Sequence, residues 1–388
     1  QAVFGADVIS RISYSESGPM HLARISGAIR AQILEMIHRL SSSISADEAQ
    51  DIGTVVITGN TTMLHLIAGV SPSGIGRAPF TPEFVETRRM NAGELELDLP
   101  NGGSAFLLPS VAAYVGADVV CAAIDAGMDR DPQTTLLADI GTNGELMLNH
   151  NGTIYACATA AGPAFEGATI SAGVGGVPGA ICSWFRSSDG FEFDTIENAP
   201  TVGICGSGLL DLIALLVDDG IIDETGRIGP PDPESGHWAP RISTVAGEPA
   251  IHLAGRHYLT QKDVREVQLA KAAIAAGVEG LCAEAGVSTD DVQRVILTGG
   301  FGNHLRIRSA LQIGLVPFRR NEDSHQSVEY RAIDNGAGRG AIRVIRESGT
   351  LERAESLAQA VRYVELSGHP LFQERYIEHM MFNQEDDE

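Results

Sequence analysis

The sequence predicts a two-lobed α/β protein, each lobe built around a parallel sheet, with a cleft between the lobes. Three observations carry this. First, Thr54-Val55-Val56-Ile57-Thr58-Gly59-Asn60 and Arg294-Val295-Ile296-Leu297-Thr298-Gly299-Gly300 are one phrase written twice, a β-branched apolar run closed by Thr-Gly. Such a run suits a buried parallel strand that opens into a loop at its C-terminal end. Second, Leu136-Leu137-Ala138-Asp139-Ile140, Gly141-Thr142-Asn143-Gly144 and Glu145-Leu146-Met147-Leu148 read as strand, glycine turn, strand. Third, 44 glycines and an aromatic share of only 5% fit an α/β chain with many tight turns better than an all-β sandwich.

In chain order, residues 19–40 place Leu22, Ile25, Ile29, Ile33, Met36, Ile37 and Leu40 at helical spacing. The first Thr-Gly strand follows, and beyond it the small-residue helix start Tyr114-Val115-Gly116-Ala117-Asp118. The hairpin at 136–148 continues through the turn His150-Asn151-Gly152 into a third strand, Thr153 to Ala158. A helix over 260–284 opens on the capping-box-like Thr260-Gln261-Lys262-Asp263. The second Thr-Gly strand is followed by Asp334-Asn335-Gly336-Ala337-Gly338-Arg339-Gly340-Ala341, whose small residues would let a helix start pack close to a ligand or a facing helix. The expected organisation is a first lobe over 1–133, a second lobe over 134–348 and a tail over 349–388. Near 185–258, around Gly229-Pro230-Pro231-Asp232-Pro233, the second lobe carries an irregular surface excursion. The tail reads as helix, short strand (Arg362 to Leu366), helix and a frayed acidic end, Asn383 to Glu388. If the lobes are duplicates, a hairpin matching 139–144 should precede residue 1. Together with the opening at Gln1, this leads us to expect part of a longer protein whose first lobe lacks its N-terminal hairpin.

The formal charge of −23 argues against nucleic acid or an anionic membrane surface as a partner, because both need a basic footprint. The most apolar stretch, Leu209 to Ile222, is interrupted by Asp211, Asp218 and Asp219, which rules it out as a membrane span. Five scattered cysteines with no CxxC pair point to reduced, buried thiols in a cytoplasm, and away from a zinc or iron–sulfur site within this chain. Neither GxxxxGK[ST] nor HExxH occurs.

Chemistry concentrates in the glycine turns. In Asp139-Ile140-Gly141-Thr142-Asn143-Gly144-Glu145 a strand delivers a carboxylate to its end. Gly141, Thr142, Asn143 and Gly144 can then bring backbone N–H groups and a hydroxyl to phosphate oxygens, while Asp139 holds Mg²⁺ through water. An ordinary hairpin with Asp and Asn as turn residues uses the same letters. Gly299, Gly300 and Phe301 would form a backbone shelf for a ribose and adenine, or else a plain strand-to-helix turn. Asn335 and Gly336 are a weaker signal, since helix packing explains them without a ligand. Glu166, in Gly162-Pro163-Ala164-Phe165-Glu166-Gly167 and close to Gly173-Val174-Gly175-Gly176-Val177-Pro178-Gly179, is a candidate to position water or metal, or a solvated side chain on a loop. Gly206 and Ser207, in Gly203-Ile204-Cys205-Gly206-Ser207-Gly208, begin a helix and suit an anion, though the pattern falls short of GxGxxG. Cys205 reads either as a redox residue or as a buried inert thiol.

Strand–Asp-Ile-Gly-Thr, strand–Thr-Gly-Gly and a Gly-Ala helix, in that order, resemble the phosphate, adenosine and connecting motifs of the actin/Hsp70/sugar-kinase (ASKHA) superfamily, a duplicated RNase H-like fold with a nucleotide in its interlobe cleft. More narrowly, several phrases resemble the reductive activators of corrinoid-dependent enzymes, including those serving methyltransferases. They are Phe4-Gly5-Ala6-Asp7-Val8-Ile9-Ser10-Arg11-Ile12, Gly59-Asn60-Thr61-Thr62-Met63, Asp139 to Glu145, Gly162 to Gly167, Ile204 to Leu209 and Tyr363-Val364-Glu365-Leu366-Ser367-Gly368-His369-Pro370. The resemblance covers nearly the whole chain. It implies ATP and Mg²⁺ as ligands, slow hydrolysis and docking to a corrinoid (B12) protein. It also implies an N-terminal [2Fe–2S] domain in the full-length parent, which returns cobalt(II) to cobalt(I). Three rivals remain at this stage: a small-molecule kinase of the same fold, a nucleotide-dependent interaction module without appreciable turnover, and an activator of 2-hydroxyacyl-CoA dehydratases. Monomer and homodimer are equally compatible with the sequence.

Overall fold

The protein, as a computed structural model, is described over residues 4–5, 7–99, 102–188, 190–230, 233–299, 306–317 and 328–382. The chain forms two compact units, Gln1–Arg130 with Gly336–Tyr363, and Asp131–Asn335 with Val364–Glu388.

The first unit holds helices α1 (Val8–Glu16), α2 (Pro19–Ser41), α3 (Ala46–Gln50), α4 (Thr61–Ala68) and α5 (Ala117–Ala126), and strands β1 (Thr54–Ile57), β2 (Arg88–Asn91) and β3 (Ser104–Leu107). β1 and β3 are parallel, and β2 runs antiparallel on the other side of β3. β1 was expected to be buried; it is mostly half-exposed, because it is the edge of a three-stranded sheet and only Ile57 is fully covered. The Thr-Gly turn after β1 feeds α4 directly. Asn60 caps that helix by accepting the Met63 N–H at 2.9 Å, and Ala117 at the start of α5 donates to Gly59 O at 3.0 Å. Two helices from late in the chain, α9 (Gly336–Arg346) and α10 (Thr350–Ala360), complete the unit. α9 lies so close to α5 that a Cβ on Gly340 would overlap Cys121 O. Arg339 and Arg343 then both reach Asp125 at 2.7 Å. Burial opposes ionisation of Asp125, but the two guanidiniums outweigh it and hold the carboxyl below its usual range. This contact is why Gly336–Tyr363, which the sequence reading divided between a second lobe and a tail, folds with the first unit.

In the second unit β4 (Thr135–Ile140), β5 (Gly144–His150) and β6 (Thr153–Thr159) form an antiparallel meander, and β13 (Arg294–Gly299) and β14 (Glu329–Ala332) add in parallel on the other side of β4. Counted from β4, these five lie side by side in the order 3-2-1-4-5. Between β6 and β13 come β7 (Ala180–Ser187), β8 (Gly190–Thr195), β9 (Gly203–Ile204), α6 (Gly206–Asp218), β10 (Ile242–Val245), β11 (Glu248–His252), β12 (Tyr258–Thr260) and α7 (Gln261–Ala285). The expected irregular excursion at 185–258 is therefore mostly ordered, in two small sheets, β8-β7-β9 and β10-β11-β12. Its short strands escaped notice because Gly and Pro separate them, yet Trp184, Trp238, Ile242 and Ile251 are buried with α6 in the main core. α7 starts at a full capping box between Thr260 and Asp263 and buries Val267, Ile274 and Val278 against Leu146 and Leu148 of the meander. The short helices α8 (Ile307–Gln312) and α11 (Phe372–Glu378) and the two-residue strand β15 (Arg362–Tyr363) complete the α-helices and β-strands among the described residues. No helix among them is long and apolar enough to cross a membrane.

Two consequences for stability follow. Gly340→Ala forces α5 and α9 apart and should lower stability by about 1–3 kcal/mol, as overpacking does, seen as a fall in denaturation midpoint. His65 is buried and stacked on Phe84; one ring nitrogen meets Thr61 O at 2.8 Å and the other accepts the Glu83 N–H at 3.1 Å. Burial lowers its pKa, so the unfolded chain takes up the proton first. Its contribution is complete above an unfolded pKa of about 6.5 and is lost as pH falls below it. Wild type should lose more urea resistance between pH 7.5 and 5.5 than His65→Gln does.

Candidate functional site

The site is built on the central strand of the second unit. β4 pairs with β13 in parallel register, Thr298 opposite Asp139 and Gly299 opposite Ile140. Gly299 has φ +126°, and a Cβ there would overlap Ile140 O, so glycine is required for the two strand ends to lie this close. On its other side β4 pairs with β5, Asp139 opposite Glu145 and Ile140 opposite Gly144. Thr298, Asp139 and Glu145 thus form one row across three strands, their side chains on the face opposite Ala138 and Ile140. Glu145 is buried and Asp139 half-buried. Two carboxyl groups thus stand in direct cross-strand register.

The four-residue turn between β4 and β5 presents its donors to a carboxylate. Thr142 donates its backbone N–H to Glu166 Oε1 at 3.0 Å and its hydroxyl to Glu166 Oε2 at 2.5 Å. Gly141 donates to Asn143 O at 3.2 Å. Gly144 is glycine for packing, since a Cβ would lie 2.6 Å from Thr159 Oγ1 and 3.0 Å from Ile274 Cγ1. Gly141 is different. Its φ is not positive, and the nearest atom to an added Cβ is the far end of the Glu166 side chain at 3.1 Å. Neither backbone strain nor the packed core demands glycine there.

Glu166 is held by its backbone. Ala164 and Phe165 are buried in the main core, and the Glu166, Gly167 and Ala168 N–H groups close a tight turn onto Pro163 and Ala164 carbonyls. Further along, Asp263 accepts the Ser171 N–H at 2.7 Å while also capping α7, which anchors the glycine-dense segment to that helix.

The structure therefore gathers Asp139, Gly141, Thr142, Asn143, Gly144, Glu166 and Gly299 in one place. Gly206 and Ser207, expected to suit an anion, begin α6, and the Ser207 side chain is bound to β7. Ser207 is buried and donates to Cys182 O at 2.8 Å, and a Cβ on neighbouring Gly208 would overlap Ile181 O. Cys205, like the other four cysteines, is a buried free thiol. Asn335 takes a left-handed φ of +46° just before α9, and Gly336 is buried at the start of that helix. Gly300 and Phe301 lie outside the described residues. Glu145 and Thr298 were missed as site members, although both stand inside the motifs singled out; only strand register reveals that they share a row with Asp139. Among the described residues no group of three or more His, Cys, Asp or Glu side chains could hold a metal by itself.

A family model described as the C-terminal domain of RACo, the ASKHA domain, matches residues 133–388, and another described as the RACo middle region matches residues 1–131. The chain is 33% identical over 392 residues to the corrinoid activation enzyme RamQ of Eubacterium limosum, covering 98% of this chain and 65% of that protein. It is 26% identical over 231 residues to the [Co(II) methylated amine-specific corrinoid protein] reductase of Methanosarcina barkeri, covering 54% of this chain and 39% of that protein. A solved reductive activator for corrinoid, iron-sulfur protein superposes with a TM-score of 0.88 at 32% identity, over 98% of this chain and 60% of that one. The chain thus spans less than two thirds of the length of these relatives. With the two models lying end to end along it, and the 3-2-1-4-5 sheet and glycine hairpin within the second, the chain belongs to the RACo family, as its middle region followed by its ASKHA domain.

Proposed function

We propose that this chain is the ATP-binding and ATP-hydrolysing part of a reductive activator that returns cobalt(II) corrinoid proteins to cobalt(I) in the cytoplasm. The observation that carries the nucleotide reading is the Thr142 turn. Its backbone N–H and hydroxyl already hold a carboxylate, and beside them Gly141 is a glycine that neither backbone strain nor core packing requires. A polyphosphate offers the same oxygen acceptors with more charge, which strengthens such bonds. Gly299, directly beside Ile140, supplies a second stretch of bare backbone for the nucleoside end.

The Asp139–Glu145 pair fits Mg²⁺, which takes one or two carboxylates and otherwise keeps phosphate and water as ligands; when bound it would neutralise charge on the phosphates. Glu166 is placed to accept a proton from a water attacking the terminal phosphorus, as the bond to the bridging oxygen breaks and ADP departs. The corrinoid partner follows from what the relatives are named for. The electron itself would come from a [2Fe–2S] domain in a full-length protein, and ATP acts by favouring the conformation that binds the oxidised partner.

Three variants test the reading in this chain. Gly141→Ala should keep the denaturation midpoint within about 1 kcal/mol of wild type, yet weaken ATP binding by about tenfold or more, because a methyl group fills the ligand's space. Asp139→Asn should lower Mg²⁺-dependent hydrolysis by about a hundredfold. Glu166→Ala should lower turnover by about 10²–10⁴-fold. Calorimetry and phosphate release would measure these, and wild-type binding and turnover in both Gly141→Ala and Asp139→Asn would overturn the assignment.

A further inference from the structure

Resting on that reading, we infer that Glu166 is a built-in competitor for the phosphate turn: its carboxylate occupies the Thr142 donors until a nucleotide displaces it. Both donors of Thr142 are committed, the N–H to one carboxylate oxygen at 3.0 Å and the hydroxyl to the other at 2.5 Å. A bidentate clasp of this kind saturates the turn, and a phosphate oxygen can take the N–H or the O–H only by replacing a carboxylate oxygen.

The local fold makes that exchange a side-chain event. Ala164 and Phe165 anchor the preceding residues in the core. Gly167 is locked behind, with φ +81° and a Cβ position only 2.7 Å from Val174 N. The Glu166 backbone therefore stays where it is, and the carboxylate, which is exposed, swings out about its own bonds into water. Once displaced it remains within a side-chain's length of the phosphates, where it can meet water or metal. One residue thus alternates between closing the turn and serving the bound nucleotide. The latch also sets selectivity. An anion with a single contact must give up as much as it gains on displacing the carboxylate, whereas a Mg²⁺–polyphosphate complex, with its metal facing the Asp139 row and its nucleoside end at the Gly299 backbone, gains more than it loses.

The test measures binding of adenylyl imidodiphosphate with Mg²⁺ by calorimetry, using the full 388-residue chain and its Glu166→Gln, Glu166→Asp and Thr142→Val variants. Glu166→Gln keeps the shape but weakens the acceptor. Glu166→Asp keeps the charge but is too short for the bidentate clasp. The latch predicts that both bind about five- to tenfold more tightly than wild type, the equivalent of one charged hydrogen bond, and that Thr142→Val binds more weakly. If only Glu166→Gln gains, the effect is plain charge repulsion and the latch is refuted. The same holds if neither gains while wild type binds normally. If wild type itself binds no nucleotide, it is the nucleotide reading that fails.

Discussion

The site depends on the parallel pairing of β13 with β4, and on its last step, where Gly299 lies against Ile140. Two strands from positions far apart in the chain end together there, so Gly299 comes to lie beside the start of the Gly141–Gly144 turn. Any side chain on Gly299 would collide with the Ile140 carbonyl and part the strand ends. Register matters as much as closeness. A slip of one residue would turn Asp139 into the core and bring Ile140 out, since side chains alternate across the sheet. The packing of Leu136, Ala138 and Ile140 against α6 and α7 therefore fixes which face carries the carboxylates.

That constraint explains the chemistry the site can support. The described residues bring together a hydroxyl, backbone amides and carboxylates, and neither Gly141–Gly144 nor Gly162–Gly167 contains a lysine or arginine. With a chain charge of −23, a bare phosphate would approach against the protein's own field. On the proposed reading, a phosphate that arrives with a divalent cation carries less negative charge into that field.

Much of this was legible from the sequence. The helices over 19–40 and 260–284, the three-strand meander and both Thr-Gly strands appear in the structure as α2, α7, β4–β6, β1 and β13, because each is marked by local signals: periodicity, a capping box, or β-branched runs ended by glycine. What stayed hidden depends on pairing across distance. The row of Thr298, Asp139 and Glu145 is invisible until register is known, the small sheets inside 185–258 are too short to stand out, and the seating of α9 on α5 rests on one glycine and two arginines placed more than two hundred residues from Asp125.

The same letter, glycine, was the most informative and the most misleading residue in the sequence, and the structure separates its uses. At Gly340, Gly208 and Gly299 an added Cβ would run into backbone carbonyls, so these glycines let rigid elements meet. At Gly144 it would strike packed side chains. At Gly141 it would meet first the movable tip of Glu166 at 3.1 Å, with Asn143 O at an ordinary 3.8 Å. A glycine whose neighbours are all rigid records a packing decision already complete in the folded chain. One whose nearest neighbour is the end of a movable side chain leaves room for an exchange of partners, which on the proposed reading sets the Gly141–Thr142 turn apart from the equally glycine-rich start of α6.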